Sequence, residues 1–177
     1  ACCGKSLQYP IVLSAATLAR YGVLAQSEWA REVARRQSIL FTYDAHETGV
    51  VEDGIDGGTL FTGIWFNLAH PWPLKGVLDL LAWQPALMGA NRGNHLMRTS
   101  SIVQEVHYGK GRIEYRTCDA HSPCEDVLRL AFSPKSITAD GQPLTPREKL
   151  SENGYAITPL SNGDCILAIR HDGFRKI

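Results

Sequence analysis

The stretch "TSSIVQEVHYGKGRIEYRTCD", residues 99–119, decides the fold of the second half of the chain. Two runs rich in β-branched and aromatic residues flank a glycine-containing turn at residues 109–111, which predicts a β-hairpin. In the second run apolar or small side chains alternate with charged ones, so one face of the strand is directed to a core and the other to solvent. The inward set is Ile113, Tyr115 and Thr117, and the outward set is Arg112, Glu114 and Arg116.

The residues that follow repeat this pattern of short strands and tight turns. Further strands are expected at "DVLRLAF", "SITAD", "GYAITPL" and "DCILAIRHD". Turns that end in glycine separate or follow them: Asp140-Gly141, Asn153-Gly154, Asn162-Gly163 and Asp172-Gly173. Many short strands at regular spacing are typical of an antiparallel sheet or sandwich.

The N-terminal part has a different periodicity. Across residues 6–37 apolar side chains recur at intervals of three and four, which predicts helices. Gly22 breaks the pattern and Ser27 is placed to cap a second helix, so the two helices form an α-helical hairpin. The stretch "ILFTYD" is then expected to be a short strand or an extended segment. A third helix is expected at "PLKGVLDLLAW", with Pro73 at its start.

These patterns together predict the α+β class, with an N-terminal α-helical hairpin or hairpins followed by an antiparallel β-sandwich-like half. The predicted domains are a helical region with a glycine-rich loop over residues 1–98 and an antiparallel β-rich region over residues 99–177. The break between them is expected near residues 89–99.

Charge and hydropathy exclude several classes of partner. The 177 residues include 18 basic and 18 acidic side chains, so no net field attracts nucleic acid or an anionic membrane. No apolar run approaches the ~20 residues that a membrane-spanning helix needs. We therefore expect neither nucleic acid nor a membrane as partner. The five cysteines cannot all pair within one chain, which leaves the compartment undecided.

Two short motifs point only weakly to a bound group. Residues 4–6, Gly-Lys-Ser, match the end of a phosphate-binding loop, but the required earlier glycine would precede Ala1. The spacing of Cys118, His121 and Cys124 could hold zinc in a metal-stabilised interaction domain, yet no fourth ligand follows. A disulfide between the two cysteines, or free thiols, is the simpler interpretation. We therefore expect no cofactor.

The acidic, glycine-rich segment "VVEDGIDGGTLFTGIWFNLAHPWP", residues 50–73, is the first candidate site. Glu52, Asp53 and Asp56 are close enough in sequence to share one space, where two carboxyl groups take different pKa values and serve as acid and base. The alternative is a tight turn of Asp and Gly whose aromatic residues enter the core. Flat side chains that suit stacking on sugar rings are Trp65, His70 and Trp72.

A second candidate is the polar segment "GANRGNHLMR", residues 89–98, which is expected to be a loop. His95 is a candidate base and Arg98 a candidate partner for a carboxylate, while Asn91 and Arg92 would help to position a substrate. Alternatively these side chains satisfy the backbone groups of a long connection. The remaining histidines are expected at surface or edge positions: His46, His107 and His171.

Two stretches of the first half, "YPIVLSAATLARYGVLAQSEWAREVARRQ" and "FTYDAHETGVVEDGIDG", resemble one helical hairpin and its following loop in carbohydrate-active enzymes of the (α/α)-toroid, or six-hairpin, type. The tail from "DVLRLAFSPKSITADGQPL" through "NGDCILAIRHDG" is similar to the β-sandwich that often follows such a toroid. The resemblance implies either the C-terminal part of such an enzyme, working with the remainder of a larger chain, or a separate protein that shares only this end module. It carries no catalytic residue of the family onto a position here.

The residues and the resemblance predict a carbohydrate-active protein that acts on glycosidic bonds of an oligo- or polysaccharide. A glycoside hydrolase would use Asp53 or Asp56 as proton donor and Glu52 as its partner. A polysaccharide lyase would use His95 as base and Arg98 to neutralise a uronate carboxylate. The alternative is a non-catalytic carbohydrate-binding or structural module.

Overall fold

A computed structural model gives the architecture. It describes residues 11–42, 54–56, 59–61, 71–88, 93–118, 122–173 and 177. The chain divides into two compact units, Ala1–Leu87 and Met88–Ile177. Helices dominate the first and antiparallel strands make up the second, so the predicted α+β class is confirmed. None of the helices in the described ranges is long and apolar enough to span a membrane.

Helix α1 (Ile11–Leu24) and helix α2 (Glu28–Thr42) pack against each other across a short connection. Gly22 was expected to interrupt the first helix, but it lies within α1. A β-carbon at this position would come 2.7 Å from Cγ and 2.9 Å from the amide nitrogen of Arg31 in α2. The glycine is therefore required where the two helices approach each other closely.

Helix α2 begins as predicted and ends later. Ser27 Oγ accepts a hydrogen bond at 3.3 Å from the amide three residues later, which confirms the cap. The helix then continues through residues 39–42, so the expectation of a strand or extended segment there is wrong. Glu32 forms ion pairs with Arg35 at 2.7 Å and with Arg36 at 2.8 Å. Ion pairs at these spacings stabilise the middle turns of the helix. Each further residue then extends the helix at little cost.

Helix α3 (Pro71–Trp83) packs against α1 and begins two residues before the expected Pro73. A short 3-10 turn, Pro85–Leu87, follows it. Small side chains form much of the contact between the helices, which allows close packing. The buried core of this unit consists of Ala15, Ala19, Ala34 and Leu80.

A small hairpin lies between α2 and α3 in the chain. Strand β1 (Gly54–Asp56) pairs antiparallel with strand β2 (Thr59–Phe61), and Asp56 is opposite Thr59. Part of the acidic segment thus has regular structure. Its described residues form a short two-stranded ladder.

The second unit contains the predicted strands and two more, β3 (His95–Thr99) and β8 (Gln142–Pro143). A four-stranded antiparallel sheet has the order β3-β6-β10-β9, and β4–β5 and β7–β8 form separate hairpins. The β4–β5 hairpin is the one predicted from residues 99–119, with Gly111 at φ 70° in its turn. The strands are β3 (His95–Thr99), β4 (Ile102–Gly109), β5 (Arg112–Cys118), β6 (Cys124–Leu130), β7 (Thr138–Ala139), β8 (Gln142–Pro143), β9 (Gly154–Pro159) and β10 (Cys165–His171).

The core of the second unit lies between the four-stranded sheet and the β4–β5 hairpin. Tyr115 of β5 packs with Leu128 of β6 and with Leu167 and Ile169 of β10. Alternate residues of β6 and β10 point to this side, as the sequence pattern predicts for a half-buried sheet. The result is a sandwich-like arrangement in which the second layer is only a hairpin.

Strand β3 corrects the expectation that residues 89–98 form a loop. The segment from His95 to Thr99 pairs with β6 at one edge of the sheet. Asn94, just before it, accepts a hydrogen bond at 2.9 Å from the amide of Ala131 and fixes its start. Pairing with β6 supplies the ladder hydrogen bonds that a short polar sequence does not reveal by itself.

Candidate functional site

The described residues include only part of the predicted site. Asp56 is the last residue of β1, and Trp72 lies in the first turn of α3. His95 and Arg98 both belong to β3. The other candidates lie outside the described residues: Glu52, Asp53, Trp65, His70, Asn91 and Arg92.

A β-bulge brings His95 and Arg98 to one side of the sheet. His95 is opposite Arg129 and Arg98 is opposite Val127, with the register shifting between Leu96 and Arg98. Directly opposed residues share a face, and residues 127 and 129 of one strand also share a face. His95 and Arg98 therefore point the same way. In a regular strand, residues three apart would point to opposite faces.

His95 has an unused hydrogen-bonding atom. Its ring is half-buried, and Nε2 is buried without a hydrogen-bond partner among the described residues. A buried polar atom that makes no hydrogen bond costs about 1–3 kcal/mol, so such an atom calls for an explanation. A ligand or a ring rotation that supplied a partner would remove this cost.

Arg98 is half-buried on the same face. Desolvation lowers the pKa of Arg98, and the nearby carboxylate of Glu125 partly offsets this effect. A guanidinium remains protonated in proteins, so the burial leaves a positive charge in a region of reduced solvent. Such a charge attracts an anionic group more strongly than an exposed one does.

Further cationic side chains lie on this face of the sheet. Arg129 is opposite His95, and Arg170 is opposite Glu125, so both share the face of His95 and Arg98. Arg129 is 2% exposed and donates a hydrogen bond at 3.0 Å to the equally buried Asp164. Arg129 is therefore committed to a structural ion pair, while the face as a whole remains rich in cations.

The opposite face of the same sheet holds a buried polar cluster that sequence reasoning did not identify. Asp126 Oδ2 accepts a hydrogen bond at 2.5 Å from the Tyr115 hydroxyl and lies 3.0 Å from His171 Nε2. Asp126 and His171 are fully buried, and Tyr115 is 2% exposed. Thr99 also donates to Asp126 from β3. The cluster joins β3, β5, β6 and β10 within the core.

Burial and hydrogen bonding act in opposite directions on the carboxyl group of this cluster. Burial raises the pKa of Asp126, but hydrogen bonds from His171, Thr99 and Tyr115 outweigh burial, so the pKa lies below its usual range. The pKa of Tyr115 is well above its ordinary value because the phenol is desolvated and faces the Asp126 carboxylate. Asp126 is thus held as an anion and Tyr115 as a neutral donor.

The expected surface position of His171 is wrong, whereas His107 is exposed as predicted and His46 lies outside the described residues. The missing signal was alternation along β10. In "CILAIRH" the inward set is Cys165, Leu167, Ile169 and His171, which extends the apolar face by one polar residue. Strict two-residue periodicity would have assigned His171 to the core.

The cysteine motif contains no disulfide. The disulfide considered for Cys118 and Cys124 is not formed, and Cys165 also keeps its thiol. His121 lies outside the described residues. Within the described ranges, no group of three or more histidine, cysteine or acidic side chains is arranged to hold a metal ion.

Comparison of the chain with protein-family models, with curated proteins and with solved structures found no match.

Proposed function

We propose that the chain is a carbohydrate-active protein that cleaves glycosidic bonds of a uronate-containing polysaccharide by elimination, with His95 as the base and Arg98 as the group that neutralises the uronate. The observation that carries this proposal is the bulge in β3, which directs both side chains to one face. The resemblance of the helical hairpin and β-rich tail to (α/α)-toroid enzymes also supports it.

The two side chains match the two requirements of this reaction. The carboxylate of a uronate makes removal of the proton at C5 difficult, because negative charge builds up beside a charge that is already present. The half-buried Arg98 offsets this charge through paired hydrogen bonds. A neutral imidazole then takes the C5 proton, and histidine is suited to this task near neutral pH.

The elimination is complete with these groups and water. The C5–H bond breaks and its electron pair forms the C4=C5 double bond. The C4–O bond breaks, and the departing oxygen takes a proton from the imidazolium or from water. Proton transfer to Nε2 requires the His95 ring to turn toward the substrate, since this atom is buried in the free protein. Rotamer changes of this kind are common on binding.

A hydrolase is the second candidate because of the position of Asp56. This residue ends β1, opposite Thr59 of β2, in a hairpin that lies between α2 and α3 in the chain. Asp53 or Asp56 would donate the proton and Glu52 would be its partner. Trp72, in the first turn of α3, would then provide a sugar platform.

The test is an assay on uronate-containing and neutral polysaccharides that records two products. Elimination creates a conjugated double bond that absorbs in the ultraviolet, whereas hydrolysis releases reducing ends without it. We expect ultraviolet-absorbing product from a uronate polymer, and its loss by a factor of about 100 or more in His95→Ala. Arg98→Ala should lose at least as much, and Arg98→Lys should recover only part of it, because lysine lacks the guanidinium fork.

Matched controls separate chemistry from folding. His107→Ala removes an exposed histidine of β4, and Arg116→Lys changes an exposed arginine of β5. Both should retain wild-type rates. If the assay yields reducing ends without ultraviolet absorbance, and Asp53→Asn or Asp56→Asn abolishes them, the protein is a hydrolase and the lyase proposal is wrong. Glycan binding without any product would make the chain a non-catalytic carbohydrate-binding module.

A further inference from the structure

An open recess of about 450 Å³ lies beside the start of β9 and the end of β10 in the β-rich unit. Its size is within the range of small-ligand sites, which is ~300–1,000 Å³. Two cations and two anions are among the side chains that line it: Arg147, Arg170, Glu152 and Asp172. The recess therefore has the volume and the polarity to hold a small charged molecule.

Arg147 reaches the recess across a residue that has no side chain. A β-carbon at Gly154 would come 3.0 Å from Cδ and from Nε of Arg147, so the arginine needs a glycine there. Nε donates a hydrogen bond at 2.7 Å to the carbonyl of Asn153, and Nη2 pairs with Glu152 at 2.9 Å. The guanidinium of Arg147 is therefore held in place at two of its three nitrogens.

Arg170 is held at only one nitrogen. Its side chain is half-buried, and Nη1 donates a hydrogen bond at 3.2 Å to the carbonyl of Leu150. Across the residues that the structure describes, no hydrogen bond or ion pair uses Nε or Nη2 of Arg170. These two nitrogens form the fork that binds a carboxylate through two parallel hydrogen bonds. Arg170 is thus an anchored cation whose fork is available to a ligand.

Asp172 supplies an anchored negative charge to the same recess. Its Oδ1 accepts a hydrogen bond at 2.7 Å from Ser122, and its Oδ2 accepts one from the side-chain amide of Asn153. These bonds, that from Ser122 first, lower the pKa of Asp172, so the group is an anion at neutral pH. A carboxylate has about four acceptor positions, which leaves Asp172 able to accept from a further donor.

The balance of charge decides between a simple anion and a zwitterion as ligand. A bare carboxylate on Arg170 would lie near the carboxylates of Asp172 and Glu152, which repel it. An ammonium group beside the ligand carboxylate turns this repulsion into attraction. Arg170 and Asp172 are two residues apart, so their α-carbons lie within roughly 7 Å of each other. A small molecule that touches both side chains therefore carries its two charges close together, as an α-amino acid does.

We infer that this recess is a binding site for an α-amino acid, whose carboxylate accepts two hydrogen bonds from Arg170 and whose ammonium group donates to Asp172. Arg147 adds positive charge beside the ligand carboxylate, and its pairing with the exposed Glu152 limits that charge. The site uses none of the residues of the proposed elimination and does not depend on that activity.

The experiment is an NMR titration of the full chain with L-alanine and with two analogues that each lack one charge. N-acetyl-L-alanine has no ammonium group, and L-alaninamide has no carboxylate. We expect L-alanine to bind with a Kd of about 1 mM or lower and to shift the amide signals of Ser151 and Asp172. Each analogue should bind at least about tenfold more weakly, because one set of charge-assisted hydrogen bonds is lost. Low ionic strength is used because salt screens charges in an open recess.

The same titrations state what would overturn the proposal. If N-acetyl-L-alanine binds as tightly as L-alanine, the recess takes a simple carboxylate and the assignment of a zwitterion is wrong. If L-alanine does not saturate the protein, or shifts only amides remote from the recess, the site itself is wrong. These results come from the unaltered protein, so they stand even where a variant does not fold.

Variants of the protein test the two anchored charges separately. Arg170→Lys keeps the positive charge but lacks the fork, so its affinity for L-alanine should fall at least about tenfold. Asp172→Asn should weaken binding of L-alanine and not of N-acetyl-L-alanine, a difference that a general loss of structure does not produce. Arg116→Lys, at an exposed position of β5, is the control and should keep the wild-type affinity. Wild-type affinity in Arg170→Lys would show that the fork does not bind the ligand.

Discussion

Asp126 and His171 lie 3.0 Å apart, both with no solvent exposure, on the face of the sheet opposite to that of His95 and Arg98. The sheet thus separates a closed polar cluster from a half-buried cationic pair. The closed cluster has no route to a substrate in this conformation, so its contribution is to stability. The half-buried pair is where we place the chemistry.

Asp126→Asn should lower the free energy of unfolding by about 1–3 kcal/mol at neutral pH, because the hydrogen bonds that Asp126 accepts lose their charged partner. Chemical denaturation measures the difference. Glu105→Gln is the matched control, since Glu105 pairs with His107 at 2.6 Å on the exposed side of β4. It should change stability by less than about 0.5 kcal/mol. If both variants lower the free energy of unfolding equally, burial of the Asp126–His171 pair does not increase its contribution to stability.

The acid limb of the stability profile should depend on the same carboxyl group. The pKa of Asp126 is lower in the folded protein than in the unfolded chain, where it is near ~3.9. Its contribution is therefore complete above that unfolded value and is lost as the pH falls through the folded value. The difference between wild type and Asp126→Asn should narrow below pH ~4. A constant difference down to pH ~2 would contradict this assignment.

Tyr115 should govern part of the alkaline limb. Its pKa is raised in the folded protein, so its contribution is complete below the unfolded value of ~10 and is lost as the pH rises above it. Tyr115→Phe should lower the free energy of unfolding by about 1–3 kcal/mol at pH 7. As the pH rises above ~10, the free energy of unfolding of this variant should fall less than that of wild type. Tyr108→Phe, which removes a partly exposed phenol of β4, should keep the wild-type alkaline loss.

Gly154→Ala should destabilise the β-rich unit by at least about 1–3 kcal/mol. Gly154 has φ 151°, and a β-carbon there would overlap the carbonyl oxygen of Thr145, which also accepts the Tyr155 amide at 3.0 Å. Gly109→Ala is the control, because its β-carbon would meet its nearest neighbour at an ordinary 3.4 Å. Thermal melts of the two variants should differ by several degrees. Similar melting temperatures would show that the loop near Thr145 can move aside.

Much of the fold could be predicted because local patterns and tertiary contacts agree. The alternation around Tyr115 and the glycine turn at residue 111 give the β4–β5 hairpin, and Ser27 gives the start of α2. The predictions of secondary structure fail where a contact with a residue distant in sequence determines the local conformation. Gly22 breaks a periodic pattern but serves a helix contact with Arg31, which no local pattern contains.

The geometry of the candidate site could not be predicted from the sequence. The sequence proposes His95 as a base and Arg98 as a carboxylate partner, and it places both in a loop. Pairing with β6 converts their segment into a strand, and the bulge then sets their common direction. Register shifts depend on the partner strand, so single-sequence reasoning has no access to them. The carboxylates of the acidic segment stay a prediction.

The bulge gives this edge of the sheet a tolerance to a change in length. Met97 is the residue of β3 that has no residue opposite it on β6. If Met97 were deleted, His95, Leu96 and Arg98 would be successive residues opposite residues 129, 128 and 127, and regular alternation would still direct His95 and Arg98 to one face. A three-nucleotide in-frame deletion at this position would therefore keep the common direction of the two side chains.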